Sequence, residues 1–479
     1  MSLKAFRLSL ILLAATSLPA LSATTQADAD KFRDSLKAYV GPMINQMKIV
    51  PDGEGYKATF DFNALFESLK TQDGSFSMTP FAVTLTPSGD NKWKMHQGGD
   101  MKLAAKFNGG LVDESVSGIN CDAILDLTQG IVTDYDCAAK TLVVDEELPG
   151  LSDVRAKVHM TMNDLAVKAK SKLNPAGGTD ITFTEPFGAM TFVEHIDDGK
   201  QPVDINFKVA GGTSIGTIIG FKGKPMLDIW RYAVAHMDHR PTAEDQGALK
   251  TAIGEALPLF QSLETTGNMT KIEVATSIGT FAVDKAGFLL RANGLVKEGL
   301  IEEGISVEGL VIPPGIAPEW SKSLVAKNFA VDMNLSGFDL ATYSKSLLEA
   351  ADFTKENPVS VEVLDKLAIA ALPSGTITIG LGPSSISGST YNLQAEGSFV
   401  AGPAAQPTGK ANIKMKGIDD VMKAINGAPP EASLKQAGAV MILAKGLGKI
   451  GADGAITWEV EATPDGKVLV NGTDVKKLR

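Results

Sequence analysis

The predicted fold rests on one stretch of sequence, Phe329-Ala-Val-Asp-Met-Asn-Leu-Ser-Gly337-Phe-Asp339-Leu-Ala-Thr-Tyr-Ser-Lys-Ser-Leu-Leu348. Apolar side chains first occupy every second position, as in a strand with one buried face. The spacing then becomes helical, and Asp339 stands where a helix N-cap is wanted. The stretch therefore predicts a strand that turns into an amphipathic helix.

The same strand-to-helix plan recurs along the chain. The other segments with this pattern are Tyr56–Leu69, Val158–Ala169 and Ile413–Ile425. Alternating strands joined largely by hairpins favour antiparallel pairing, and the 48 glycines suit curved sheets with bulges. The predicted class is α+β, with mostly antiparallel, curved β-sheets, repeated strand-to-helix units, and two β-rich halves separated by a helical segment.

The length of 479 residues favours more than one core. The most helical part, residues 225–265, is interpreted as a divider between an N-terminal β-rich half, residues 24–224, and a C-terminal half, residues 266–479. The second half closes with a predicted hairpin, in which Ala455–Glu461 and Lys467–Val470 flank Pro464-Asp465-Gly466.

Residues 1–23 have the pattern of a secretory signal peptide. Lys4 and Arg7 precede an apolar stretch, Leu8–Leu18, and small residues follow up to Ala23. This stretch is shorter than the roughly 20 residues that span a bilayer, so a retained membrane anchor is the weaker alternative. We expect cleavage near Ala23, export to the periplasm, and no transmembrane segment in the mature chain.

Cys121 and Cys137 are the only cysteines. They flank two strand-like runs around Gln129-Gly130, and their midpoint falls on that turn, so they are expected to face each other across the ladder. An oxidising compartment would let them form a structural disulfide. The alternative, a redox or metal-binding pair, lacks the C-x-x-C spacing and a neighbouring His.

Composition excludes several classes of partner. The formal net charge of −11 makes nucleic acid and anionic membrane surfaces poor partners for the body as a whole. A hydrophobic content of 44% is too high for a disordered chain. The sequence thus predicts a folded protein with no nucleic-acid ligand.

Two glycine-containing motifs suggest enzymes but lack the required context. Gly212-Thr-Ser214-Ile-Gly216 matches a hydrolase nucleophile elbow, which needs a helix immediately afterwards and a later triad His. No His follows His239. Gly446-Leu-Gly448-Lys-Ile-Gly451 matches a dinucleotide fingerprint, but it follows a helix and precedes a strand, the reverse of the required order. We therefore predict no catalytic residue and no cofactor.

His236 and His239 are candidate metal ligands, three residues apart at the end of a helix. No third ligand can be named, and basic residues at a helix C-terminus explain the pair without a metal, so no metal site is predicted. The other histidines and the adjacent acidic pairs, including Glu146-Glu147 and Glu302-Glu303, are interpreted as solvated positions, the acidic pairs as turns.

The repeats and the closing pattern Asp453-Gly-x-Ile456-x-Trp458 with Asp465-Gly-Lys-Val-Leu-Val-Asn471-Gly resemble proteobacterial envelope proteins, the domain-of-unknown-function families 2125 and 945, which are similar in style to AsmA-like proteins. The resemblance covers about the last forty residues and the style of the repeats. It implies a curved β groove that shields lipid acyl chains, and it assigns no functional residue.

Three hypotheses for function follow. The first is an exported envelope protein, not an enzyme, that binds lipid or another hydrophobic ligand in a β groove. The second is a scaffold that engages other envelope proteins. A hydrolase is the third. One-sided alternation along the strands favours the first, because it predicts sheets with one apolar face.

Overall fold

The computed structural model describes residues 25–63, 74–89, 92–107, 110–126, 130–149, 155–197, 202–236, 240–403, 405–429 and 432–475. The predicted signal peptide lies outside these ranges. The chain divides into two compact units. The first unit runs to Ser262 and includes Lys345–Val363, and the second contains Leu263–Ser344 and the residues from Leu364 onward.

Long strands dominate both units. Their bounds are β1 Met47–Asp52, β2 Gly55–Phe60, β3 Gly74–Met78, β4 Phe81–Pro87, β5 Lys92–Phe107, β6 Gly110–Asp126, β7 Ile131–Pro149, β8 Arg155–Leu173, β9 Thr179–Phe187, β10 Met190–Asp197, β11 Val203–Val209, β12 Gly211–Phe221, β13 Ser262–Thr276, β14 Gly279–Asn293, β15 Leu300–Glu308, β16 Asn328–Ser336, β17 Ile377–Ser387, β18 Asn392–Gly402, β19 Ala405–Lys416, β20 Lys449–Ile450, β21 Ile456–Ala462, β22 Val468–Val470 and β23 Thr473–Asp474.

The described helices are fewer, and none is as long as β7 or β8. They are α1 Gln26–Val40, α2 Gly223–Ala235, α3 Asp245–Ala256, α4 Leu340–Ala350, α5 Val361–Ala370, α6 Ile418–Asn426 and α7 Ala432–Leu447, with 3-10 turns at Gly41–Gln46 and Glu319–Leu324. Helices α2 and α3, which lie in the segment predicted as a divider, belong to the first unit. No helix in the described ranges is long and apolar enough to cross a membrane.

The predicted α+β class is wrong. The chain is mostly antiparallel β-sheet with few helices, and the strand-to-helix unit is not its general repeat. An Asn or Asp after an alternating run predicts a helix N-cap, but this residue type does not by itself start a helix. In a strand, the same residue can sit at a kink where the chain continues extended.

Strand β8 shows why the predicted helix after Asp164 does not form. Asp164 has a left-handed backbone, with φ of 50°, yet the strand continues beyond it for another nine residues to Leu173. Lysines then alternate with smaller residues, and Lys168 and Lys170 stand opposite Asp136 and Asp134 of β7. The alternation and this charge pairing favour a strand.

Two of the predicted strand-to-helix turns are present. After β16, Asp339 accepts hydrogen bonds from the backbone N–H of Thr342 at 2.8 Å and from its hydroxyl at 2.7 Å, and α4 follows. These bonds hold the pKa of Asp339 below its ordinary value, against the effect of burial. After β19, Gly417 adopts φ of 78° and α6 begins. The helix predicted after Asn63 lies outside the described residues.

The first unit is a sheet whose core lies under α1. Its strands pair in the order β1–β2–β4–β5–β6–β7–β8, and β8 then pairs with β10 along its first half and with β9 along its second. Phe32 of α1 stacks on Tyr56 and Trp93, with ring centroids 5.0 and 5.6 Å apart. Helix α1 therefore covers one end of one sheet face.

The second unit contains a sheet that runs β14–β15–β16–β17–β18–β19–β21–β22, with every pairing antiparallel. The predicted closing hairpin is confirmed, since β21 pairs with β22 and Val460 stands opposite Val470. Ile456 and Trp458 are buried on one side of this hairpin, as the alternation predicts.

Cys121 and Cys137 are register partners on β6 and β7, which confirms that they face each other across the ladder. Their Cα atoms are 3.9 Å apart and their sulfur atoms lie at disulfide distance.

Replacing both cysteines by Ala is expected to lower the free energy of unfolding by about 3 kcal/mol, the loop-closure value for a loop of this length. Urea unfolding with and without reductant measures it; a reductant effect of equal size in the double variant would contradict this prediction.

Candidate functional site: an apolar sheet face

Strands β15 and β16 sort their side chains by polarity. In β15, Ile301, Glu303 and Ile305 share one face, because side chains two apart point the same way. Ile301 stands opposite Leu335 of β16, and Glu303 stands opposite Met333. One face of this pair is therefore apolar except for a single carboxylate.

The same partition extends across neighbouring strands, and we call this surface the open apolar face. Its members form three rows of register partners: Ala292, Ile301, Leu335, Ile379 and Phe399; Leu290, Glu303, Met333 and Leu381; and Phe288, Ile305 and Val331.

Much of the open apolar face is exposed. Ile305 and Met333 are 55% and 54% exposed, and Phe288, Ile301 and Leu335 are each at least 40% exposed. Scattered exposed apolar residues are normal, but contiguous ones mark ligand grooves or interaction surfaces. Since these side chains adjoin in register over several strands, they form a contiguous surface.

The opposite face of the same strands carries charged side chains, several of which pair with one another. Arg291 of β14 donates hydrogen bonds to Glu264 at 3.2 Å and to Glu302 at 2.8 Å, and both bonds raise the pKa of Arg291. Lys285 and Glu308 are register partners. Burial and the carboxylate of Glu302 raise the pKa of Asp332 on this face, opposed by Arg291. The sheet thus separates a charged face from an apolar one.

Helices α6 and α7 cover one end of the apolar side. There, Met415, Ile418, Ile456 and Trp458 form a buried cluster on which Met441 and Leu447 of α7 pack. An open groove of about 560 Å³ lies between α6, α7 and strands β18 to β22, and its lining is aliphatic and aromatic.

The polar atoms of the aromatic side chains in this groove already have partners. The indole Nε1 of Trp458 donates a hydrogen bond to the carbonyl of Ala444 at 2.7 Å, and the hydroxyl of Tyr391 donates to the carbonyl of Leu324 at 3.1 Å. Buried indole and phenol groups normally find such partners. The groove consequently presents hydrocarbon rather than hydrogen-bonding groups to a ligand.

The first unit carries a similar apolar face beyond its α1-covered end. Its rows of register partners include Met101, Val116, Leu142, Met162, Met190 and Val209, and Leu103, Glu114, Val144, Met160, Phe192 and Phe207. Glu114 pairs with Val144, and Glu146 and Glu194 pair with Val158, so these three carboxylates lie on this face. Each unit thus has one apolar side on which the charged groups named here are acidic.

Burial, followed by the neighbouring carboxylate of Glu146, raises the pKa of Glu114 above its ordinary value. The folded state therefore binds the carboxyl proton of Glu114 more tightly than the unfolded state does. The stability that Glu114 contributes is present below its ordinary pKa of 4.5 and is lost as the pH rises through the raised pKa. Glu114→Gln is expected to stabilise the protein at pH 7, by less than about 1 kcal/mol because the half-exposed group is screened by water, and to have no effect near pH 4. Thermal unfolding of both proteins at the two pH values measures this difference; a variant less stable than wild type at pH 7 would disprove it.

The candidate metal and nucleophile residues do not assemble into such sites in the described structure. His236 stacks on Tyr232, with centroids 4.0 Å apart, and its Nε2 lies 3.6 Å from Asp245. His239 lies outside the described residues, and no group of three or more His, Cys, Asp or Glu among the described ones could hold a metal ion. Ser214 lies inside β12 opposite Glu185, with strand continuing after it instead of a helix.

The strand histidines pair with aspartates on the polar faces. His96, His159 and His195 each lie within 3.0 Å of an Asp that is their register partner. The hydroxyl of Thr161 also lies 3.2 Å from Nε2 of His159, which gives an Asp145-His159-Thr161 constellation like a hydrolase triad. Strand β8 is paired on both sides here, so its N–H groups serve the ladder and supply no oxyanion donors.

The turn interpretation of two acidic pairs is wrong. Glu146-Glu147 lies inside β7 and Glu302-Glu303 inside β15, where adjacent side chains take opposite faces. Sequence reasoning therefore missed Glu303 as a member of the apolar face. The signal was present, because Ile301 and Ile305 flank it at strand spacing.

Gly446 lies in the last turn of α7, Gly448 lies between α7 and β20, and Gly451 follows β20, so the order is helix to strand as predicted from the sequence. This order aims no helix N-terminus at a phosphate.

The resemblance to envelope proteins has no independent support: no protein-family model, curated protein or solved structure matches this chain.

Proposed function

We propose that this chain is an exported envelope protein that binds the hydrocarbon chains of lipids on the open apolar face. The observation that carries the proposal is the contiguity in register of exposed apolar side chains over β14 to β18. Each CH₂ group removed from water contributes about 0.8 kcal/mol, so a long chain laid on this surface gains substantial affinity.

The dimensions of the face suit such a ligand. The row from Ala292 to Phe399 crosses four strand spacings, about 19 Å in total. This length is comparable to that of an extended long-chain fatty acyl group. The groove under α7 adds about 560 Å³ of apolar space at the covered end of the same sheet.

The chemistry of the face favours hydrocarbon over a protein partner. Protein interfaces carry about one hydrogen bond per 100–200 Å² and are enriched in Tyr, Trp and Arg. The open apolar face consists of aliphatic, Phe and Met side chains with Glu303 as its only charged member, and its backbone groups are committed to the sheet. The scaffold hypothesis therefore has less support.

Export is supported by the signal-peptide pattern and by the cysteine pair at disulfide distance. The test is to purify the full chain from its host without detergent, extract it into organic solvent, and identify lipids by mass spectrometry. A long-chain lipid in near-stoichiometric amount is the expected result. No extracted lipid, together with no binding of an added fluorescent fatty alcohol, would refute the proposal, and a stoichiometric protein recovered by cross-linking in cells would favour the scaffold.

A further inference from the structure

We propose that the open apolar face selects amphiphiles whose polar end is a protonated amine over those with an anionic end. This inference rests on the proposed function and specifies the ligand class of the same surface. Its starting point is Glu303, whose carboxylate stands on the apolar face between Ile301 and Ile305 along β15.

The surroundings of Glu303 contain no cation in register. Its partners across the ladder are Leu290 on β14 and Met333 on β16. The guanidinium of Arg291 belongs to the other face, where it bonds Glu264 and Glu302. The carboxylate of Glu303, which apolar side chains flank, can therefore pair with a cationic group of a ligand.

The distribution of cationic side chains points the same way. In β14–β19, β21 and β22, alternation and register assign every Lys and Arg to the polar face; these residues are Lys285, Arg291, Lys410, Lys414 and Lys416. An anionic head group over the apolar face would meet Glu303 and none of these cations. Like charges repel and opposite charges attract, with a modest effect at an exposed position such as Glu303.

The geometry of the face allows an amphiphile to pair its ammonium group with Glu303 and to place its hydrocarbon chain on the neighbouring apolar side chains. A chain lying along a row of apolar side chains can place its amine within reach of Glu303 while its methylene groups cover Ile301, Ile305 or Met333. This placement removes the exposed apolar surface from water and pairs the one charge on the face.

The test compares dodecylamine with dodecanoate, which share a chain length and differ in the sign of their charge at pH 7. Both are used below the concentration at which they self-associate, as competitors of a pyrene-labelled fatty alcohol bound to the full chain. Wild-type protein is expected to prefer dodecylamine by about fivefold, the scale of one exposed ion pair gained and one repulsion avoided. Glu303→Gln should abolish most of this preference, and Glu303→Lys should reverse it.

The matched control is Glu308→Gln, which removes the same charge from the polar face of the same strand. Because the chain carries a net charge of −11, its long-range field favours any cation, and this control isolates the local contribution of Glu303. An unchanged preference in Glu303→Gln would overturn the inference while leaving the proposed function intact. If the fatty alcohol itself fails to bind, the proposed function fails first.

Discussion

Replacing Ile305 by Asn and Met333 by Gln together is expected to weaken binding of a fluorescent fatty alcohol at least tenfold. Both side chains are more than half exposed, at 55% and 54%, so the protein loses little folding energy when they change. A bound chain loses their apolar contact and must cover two amides that it cannot hydrogen-bond. A loss of about 1.4 kcal/mol in binding free energy lowers the affinity tenfold. Titration followed by fluorescence measures the affinity, and thermal unfolding verifies the fold.

The matched control is the pair Lys285→Gln and Glu308→Gln, which changes two register partners on the polar face and keeps the net charge. This variant is expected to bind like wild type. If it lost affinity to the same extent as the apolar-face variant, the ligand would not distinguish the two faces and the binding account would be wrong.

Trp458→Ala is expected to destabilise the second unit by about 3–5 kcal/mol, the usual effect of deleting a buried Trp. Trp458 is 8% exposed, lies in the cluster with Met415 and Ile456, and donates its indole N–H to Ala444 of α7. The substitution removes both the packing beneath α7 and that hydrogen bond. Urea unfolding followed by circular dichroism measures the change.

Two further variants separate the contributions in this prediction. Trp458→Phe keeps much of the apolar volume, so it isolates the hydrogen bond, worth about 1 kcal/mol. Trp230 also donates its indole N–H to a backbone carbonyl, that of Tyr39 at 2.8 Å, but it is 42% exposed. Trp230→Ala should therefore destabilise less than Trp458→Ala; equal effects would contradict this ranking by burial.

Alternation in the sequence was enough to predict antiparallel strands with one apolar face, and it located the closing hairpin. It did not fix where strands end. After Asp164 the pattern Val167, Ala169, Ser171 continues at strand spacing, but a lone polar residue with a left-handed backbone resembles a helix cap when only the sequence is read. Whether the chain kinks and continues depends on its neighbour, here the aspartates of β7.

The sequence predicts that the candidate site is an apolar sheet face, but not which strands join to form it. One-sided alternation indicates an apolar face on each strand, and the register decides which faces join. The alignment of Ile301 with Leu335, and of Leu335 with Ile379, is a property of pairing between distant segments. The sequence around Met333 also does not show which part of the sheet the helices cover. That α6 and α7 pack at the other end depends on the tertiary structure.

The most direct test of the central claim is to map where a lipid chain lies. A fatty alcohol with a photoreactive diazirine at mid-chain would be bound to the full protein, irradiated and located by peptide mass spectrometry. Cross-links are expected within Leu300–Glu308 and Asn328–Ser336, at side chains of the open apolar face, and should be lost with excess unlabelled alcohol. Competable cross-links confined to residues outside that face, or cross-links that excess alcohol does not displace, would contradict it.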